Sequence, residues 1–197
     1  MPDASVIVET NWILDIALGQ HEASIALLDL ARRDQVQLFL PILCLTEAIK
    51  AFEGKRVVWR DLANRLVAIA ADLGRNAQLE EFVTGVRGAA TLMVETGDTL
   101  EEWLWETLEE ARRVASPLGM DGDTLSRARQ IRSLLGLSPA DSAVLSTIVG
   151  ARGTCSDFIS RDRRAFDTDE SRSYLREMGI TYYADAAHFI EARLSSR

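Results

Sequence analysis

Residues 5–8 (SVIV) form a short β-branched run that stops at Glu9-Thr10-Asn11, and a helical pattern (WILDIALG) follows. From His21 to Arg33 apolar residues recur at Ile25, Leu28 and Ala31, the spacing of a helix with one buried face. VQLFLP then reads as a buried strand closed by Pro41, with a helix after it to about Phe52. Near the other end GTCSDFIS predicts a strand that stops at Arg161-Asp162, ITYY another, and ADAAHFIEARL a closing helix. Strands that alternate with helices predict an α/β fold, a parallel sheet covered on both faces.

The middle of the chain has a different pattern. From about Gly54 to Leu137 it is helical, with Leu62, Leu66, Ile69 and Leu73 on one stripe. Thr99 and Glu102 have the spacing of a capping box, which predicts a helix start followed by Leu104, Leu108 and Ala111. A further helix is expected from about Asp123 to Leu135, and ATLMVE (residues 90–95) is the one segment there that also reads as a strand. Trp103 and Trp105 cannot share a helix face, so one is expected to pack inward; core packing is the favoured reading, with an interface role for the other as the alternative. Without repeats or a low-complexity linker, the chain reads as a single domain, 1–197, with a helical insertion at 55–136.

Composition narrows the chemistry. No apolar run approaches the roughly 18 residues of a membrane span, and the N-terminus lacks a signal-peptide layout, so a cytoplasmic protein without membrane association is expected. Cys44 and Cys155 lie in apolar segments and read as small buried hydrophobes. Two cysteines and two histidines make a conventional zinc site improbable, so any metal would be a hard ion on carboxylate oxygens. The net charge of −8 argues against a passive nucleic-acid binder with a broad basic surface. It is compatible with a metal enzyme, because bound cations reverse the local field.

Which of thirty acidic residues matter follows from where ligands bind in open parallel sheets, outside the carboxyl ends of the strands. Glu9 directly follows SVIV, and Asp162 follows the strand ending in FIS. Asp141 lies in LSPAD, where Ser138 is a good N-cap and Pro139 suits the first helical position. Glu47 lies on the helix after VQLFLP, one turn beyond Leu43 and Cys44. Taken singly, Asp141 reads as a helix N-terminal charge, Glu47 as a boundary residue and Asp162 as a turn or cap. Together they form a set of carboxylates that repel one another at one sheet edge, for which a divalent ion is the usual remedy.

Four stretches, VIVETNWILDIA, LPILCLTEAIKAFEG, LSPADSAVLSTIVGARG and DFISRDRRAFD, resemble the PIN-domain nuclease family in order and spacing, over roughly residues 5–54 and 137–190. The resemblance implies a three-layer α/β/α sandwich around a central parallel sheet. It makes Glu9, Glu47, Asp141 and Asp162 the catalytic, metal-binding set for Mg²⁺ or Mn²⁺. It also implies that Asn11 braces the first acid, that Ser160 is the hydroxyl beside the fourth, and that Asp167 is a further acid at the rim. The family's usual activity is metal-dependent cleavage of RNA, often by a homodimer, and many bacterial members are toxins held by an antitoxin. This chain departs from the pattern in two ways: Glu9 stands where the family mostly has Asp, and the chain is longer than the compact toxins.

The resulting expectation is a two-metal endoribonuclease. Thr10 and Ser160 would orient ligands, and Arg161, Arg163 and Arg164 would position phosphates. The alternatives are a catalytically silent PIN-like module that binds nucleic acid or protein, and a different α/β phosphohydrolase. The last is disfavoured by the absence of Asp-x-Asp after the first strand and of a glycine-rich phosphate loop.

Overall fold

Five short strands, all paired in parallel, carry the fold. In the computed structural model, which describes residues 4–194, they are β1 (Ala4–Ile7), β2 (Val36–Pro41), β3 (Ala115–Leu118), β4 (Asp157–Ile159) and β5 (Thr181–Tyr183). Their order across the sheet is β3-β2-β1-β4-β5. Ile7 pairs with Phe39 on one side and Phe158 on the other. Val6, Ile7 and Val8 are all buried, as are Leu38, Phe39 and Leu40. Successive side chains of a strand point to opposite faces, so both faces of the sheet are covered.

The covering helices are α1 (Thr10–Ala17), α2 (Glu22–Arg32), α3 (Ile42–Leu73), α4 (Glu80–Val114), α5 (Gly122–Leu135), α6 (Pro139–Gly150), α7 (Asp169–Glu177) and α8 (Ala186–Leu194). The chain moves from β1 through β2 to β3 in one direction, then returns to place β4 on the other side of β1. The crevice between the carboxyl ends of β1 and β4 is therefore the point where the winding reverses, the usual place for a ligand in such sheets. Among the described residues no single helix is long and apolar enough to cross a membrane.

The middle of the chain departs from its sequence reading in four respects. The helix after β2 does not stop near Phe52 but continues to Leu73. Thr99 is not a helix start: α4 runs unbroken from Glu80, and the Thr99 hydroxyl donates to the Glu95 carbonyl one turn back. Residues 90–95 are helical, not extended. Finally, β3 was not foreseen. Its sequence ASPL lacks β-branched residues and contains Pro117, which is acceptable because β3 is an edge strand.

Helices α3 and α4, joined through a 3-10 turn at Ala77–Leu79, form an antiparallel hairpin about 50 Å long at 1.5 Å per residue. Covered positions recur every three or four residues: Phe52, Arg56, Trp59, Ala63, Leu66, Ala70 and Leu73 on α3, and Val83, Val86, Ala90, Met93, Gly97, Leu100 and Leu104 on α4. That is the period of a coiled-coil seam. Ala63, Ala70, Ala90 and Gly97 are the most deeply covered small residues on it, and they let the backbones approach closely. Neither Trp103 nor Trp105 packs inward; both are about half exposed, and Leu104 between them is the buried residue.

Candidate functional site

Glu9 lies two residues beyond β1 and caps α1. Its backbone is extended, and its carboxylate accepts from the Asn11 backbone N–H at 2.9 Å. The other carboxylate oxygen accepts from the Ser160 hydroxyl at 3.1 Å, which spans the crevice between β1 and β4. Glu9 is only 5% exposed. Burial pushes its carboxyl up to about 7, while the bonds from Asn11 and Ser160 pull the other way and the negative charge of Asp162 adds to the rise.

Glu47 sits in the second turn of α3, half-buried, directly beyond β2. The Thr10 hydroxyl donates to it at 2.7 Å, tying α1 to α3. Burial raises its carboxyl, Thr10 opposes this, and the charges of Asp141 and Asp162 raise it further. Asp141 occupies the first turn of α6. There Ser138 accepts from the Asp141 N–H at 3.1 Å and donates to its carboxylate at 2.6 Å. Asp162 follows β4, and one of its oxygens accepts from the N–H groups of Arg164 and Ala165 at 2.9 and 3.0 Å. The same Ser160 hydroxyl that donates to Glu9 accepts from the Asp162 N–H at 3.0 Å.

All four acids line one cleft of about 230 Å³, together with Thr10, Asn11, Leu14, Ala51, Val144 and Phe166. The helical period accounts for the apolar walls. Leu14, Ala51 and Val144 lie three or four residues after Thr10, Glu47 and Asp141 on the same helices, so they share those faces. Phe166 is held in place by an edge-on contact with the buried Phe158 ring.

Among the described residues none of the four acids is in an ion pair. Their charges act on one another without close compensation, which is the chemical condition under which a carboxylate cleft takes up a hard divalent ion. Among the described residues, however, no three acids, histidines or cysteines are converged closely enough to grip one ion together.

The remaining predicted residues fall elsewhere. Arg161 does not line the cleft and pairs at 2.6 Å with Asp15 of α1, a buried acid that sequence reasoning passed over. Asp15 also accepts from the Ser24 hydroxyl at 3.2 Å, and His21 lies 3.9 Å away. Arg163 and Arg164 are exposed on the turn after Arg161. Asp167 does not line the cleft; it is paired with Arg172, whose guanidinium stands over the Tyr182 ring. The Tyr182 hydroxyl donates at 2.8 Å to the Ser160 carbonyl, and Ser160 N–H donates to Tyr183, so β5 fixes the end of β4. Burial raises the Tyr182 hydroxyl further above its usual range, so it stays protonated as a donor.

A larger cavity of about 810 Å³ runs along the outer edge of β5 between α7 and α8, lined by Arg172, Arg176, Tyr183 and His188 among others. It contains none of the four acids, so size does not locate the chemistry here. Cys44 and Cys155 are both buried free thiols, as expected, and burial raises both thiols, which keeps them protonated and inert.

Neither a family model nor a curated protein matches this chain.

Proposed function

We propose that this chain is a PIN-type, metal-dependent endoribonuclease whose centre is the cleft of Glu9, Glu47, Asp141 and Asp162. One observation carries the reading. Four acids from four separate stretches of sequence, each at or just beyond the carboxyl end of a strand or the start of a helix, line a single cleft without a paired cation. Mg²⁺ or Mn²⁺ held there would supply Lewis-acid activation of water and neutralise charge on the scissile phosphate.

The chain's own residues do the rest. Ser160 and Asn11 hold Glu9 at the crevice, and Thr10 orients Glu47 toward α1. The turn after Asp162 fixes one of its oxygens and leaves the other available as a ligand. Arg163 and Arg164, exposed beside Asp162, are the cations placed to meet a phosphate backbone, whereas Arg161 is committed to Asp15.

A second reading, a catalytically silent PIN-like module, is favoured by one specific feature: no three acids among the described residues converge on one ion. The discriminating experiment incubates the protein with labelled single-stranded RNA and Mn²⁺, alongside EDTA and the Asp141→Asn variant. Cleavage abolished by both supports the nuclease. Binding without cleavage supports the silent module, and cleavage that survives Asp141→Asn removes Asp141 from the centre.

A further inference from the structure

We infer that the α3–α4 hairpin is a dimerisation arm, and that the partner on its apolar face is a second copy of this chain. The inference does not depend on the nuclease reading. The helical period divides the hairpin into two unlike faces on either side of its seam. On one, Arg56 pairs with Asp98 and Glu101, and Arg60 and Val94 flank the same shallow hollow. On the other lie Val58, Leu62 and Ile69 of α3 and Phe82, Leu92 and Trp103 of α4.

These six side chains are 47–64% exposed. They leave on the order of 700 Å² of mostly apolar surface in one band, more than the ~300–600 Å² of the largest patch on a typical monomer. With the intervening small residues the band reaches about the 800 Å² per partner that a stable interface of standard size covers. A hollow of about 370 Å³ at Trp59, Leu92, Met93 and Leu100 interrupts it, open to an inserted side chain.

Charge identifies the occupant. The charged side chains of α3 at this helical phase are Lys55 and Asp72, one near each end of the band, and Arg65 between them, which is paired at 2.7 Å with Asp61 of its own helix. A strongly charged amphipathic helix from another protein would find only these few counter-charges here. A second copy presents the same band, and antiparallel stacking of α3 on α3 brings Asp72 of each copy toward Lys55 of the other. A two-fold axis lying in the face and crossing the hairpin stacks α3 on α3 and α4 on α4. Every neighbouring pair is then antiparallel, as in a four-helix bundle, and the two sheets stay at opposite ends.

The test is the mass in solution of the full chain, followed by sedimentation over about 1–100 μM. The expected result is a dimer whose dissociation constant rises at least about a hundredfold in Leu62→Glu/Leu92→Glu, while Val67→Glu on the opposite face leaves it unchanged. Hydrogen exchange of the unmodified protein supplies an independent readout, with protection of residues 58–103 expected to increase with protein concentration. A monomer throughout this range, a dimer indifferent to Leu62→Glu/Leu92→Glu, or concentration-independent exchange in the arm would each overturn the proposal.

Discussion

Ser160 donates its hydroxyl to Glu9 at 3.1 Å across 151 residues of sequence, and through that bond the end of β4 positions the acid just beyond β1. The same oxygen accepts from the Asp162 N–H, so one side chain sets both the first and the fourth acid of the cleft. Replacing Ser160 by alanine removes an interaction that lowers the Glu9 carboxyl and leaves two acids less constrained. Affinity for Mn²⁺ at pH 7, read by calorimetry, is expected to fall by about tenfold, a typical cost for a group that orients a ligand. An unchanged affinity would mean that Glu9 is not a ligand.

The raised Glu9 carboxyl makes a prediction about stability. Its folded value is about 7 against an ordinary 4.5, so between these pH values the folded chain holds more protons than the unfolded one. Stability from this group is therefore fully present below about pH 4.5 and declines as pH rises to about 7. The loss is up to about 3 kcal/mol in metal-free protein. Thermal melts in EDTA from pH 4.5 to 8 should show Glu9→Gln gaining on the unmodified chain as pH rises. Parallel curves would refute the burial argument.

Thr10→Val keeps shape but removes the 2.7 Å bond to Glu47. Because that bond opposes the rise caused by burial, Glu47 should protonate more readily in the variant. RNA cleavage at neutral pH should drop by about tenfold, the equivalent of about 1.4 kcal/mol, and recover partly at higher pH. A loss independent of pH would point to altered packing.

Arg161 was a natural candidate for phosphate contact on sequence grounds, and its pairing with the buried Asp15 gives it a structural role instead. Arg161→Met should therefore lower stability by about 1–3 kcal/mol, a range discounted for the exposure of the guanidinium. Urea unfolding measures this. RNA affinity in EDTA should stay within twofold, and a large loss of affinity with intact stability would restore Arg161 to the substrate surface.

Gly97 lies in the hairpin seam, where an added Cβ would meet the Trp59 ring at 3.8 Å, an ordinary contact. Gly97→Ala should stabilise the chain by about 0.5–1 kcal/mol through the lower helix cost of alanine. A destabilised variant would show that the two helices approach more closely than described.

The sequence by itself determined much of the α/β frame, because apolar runs such as SVIV and VQLFLP are each followed by a helical period, and Ser138 with Pro139 marks the start of α6. It also singled out the four acids, since each sits at a strand end or on the sheet-facing side of a helix, where position is set locally. What it left undecided depended on partners distant in the chain. Strand β3 forms because β2 offers an open edge, not because ASPL prefers extension. Residues 90–95 stay helical because α3 supplies a seam for them. Arg161 belongs to Asp15 only once α1 and the end of β4 are side by side. Local propensity reports a residue's own conformational cost, whereas a shared cleft, a buried ion pair or an edge strand owes its free energy to groups that only the tertiary fold brings together.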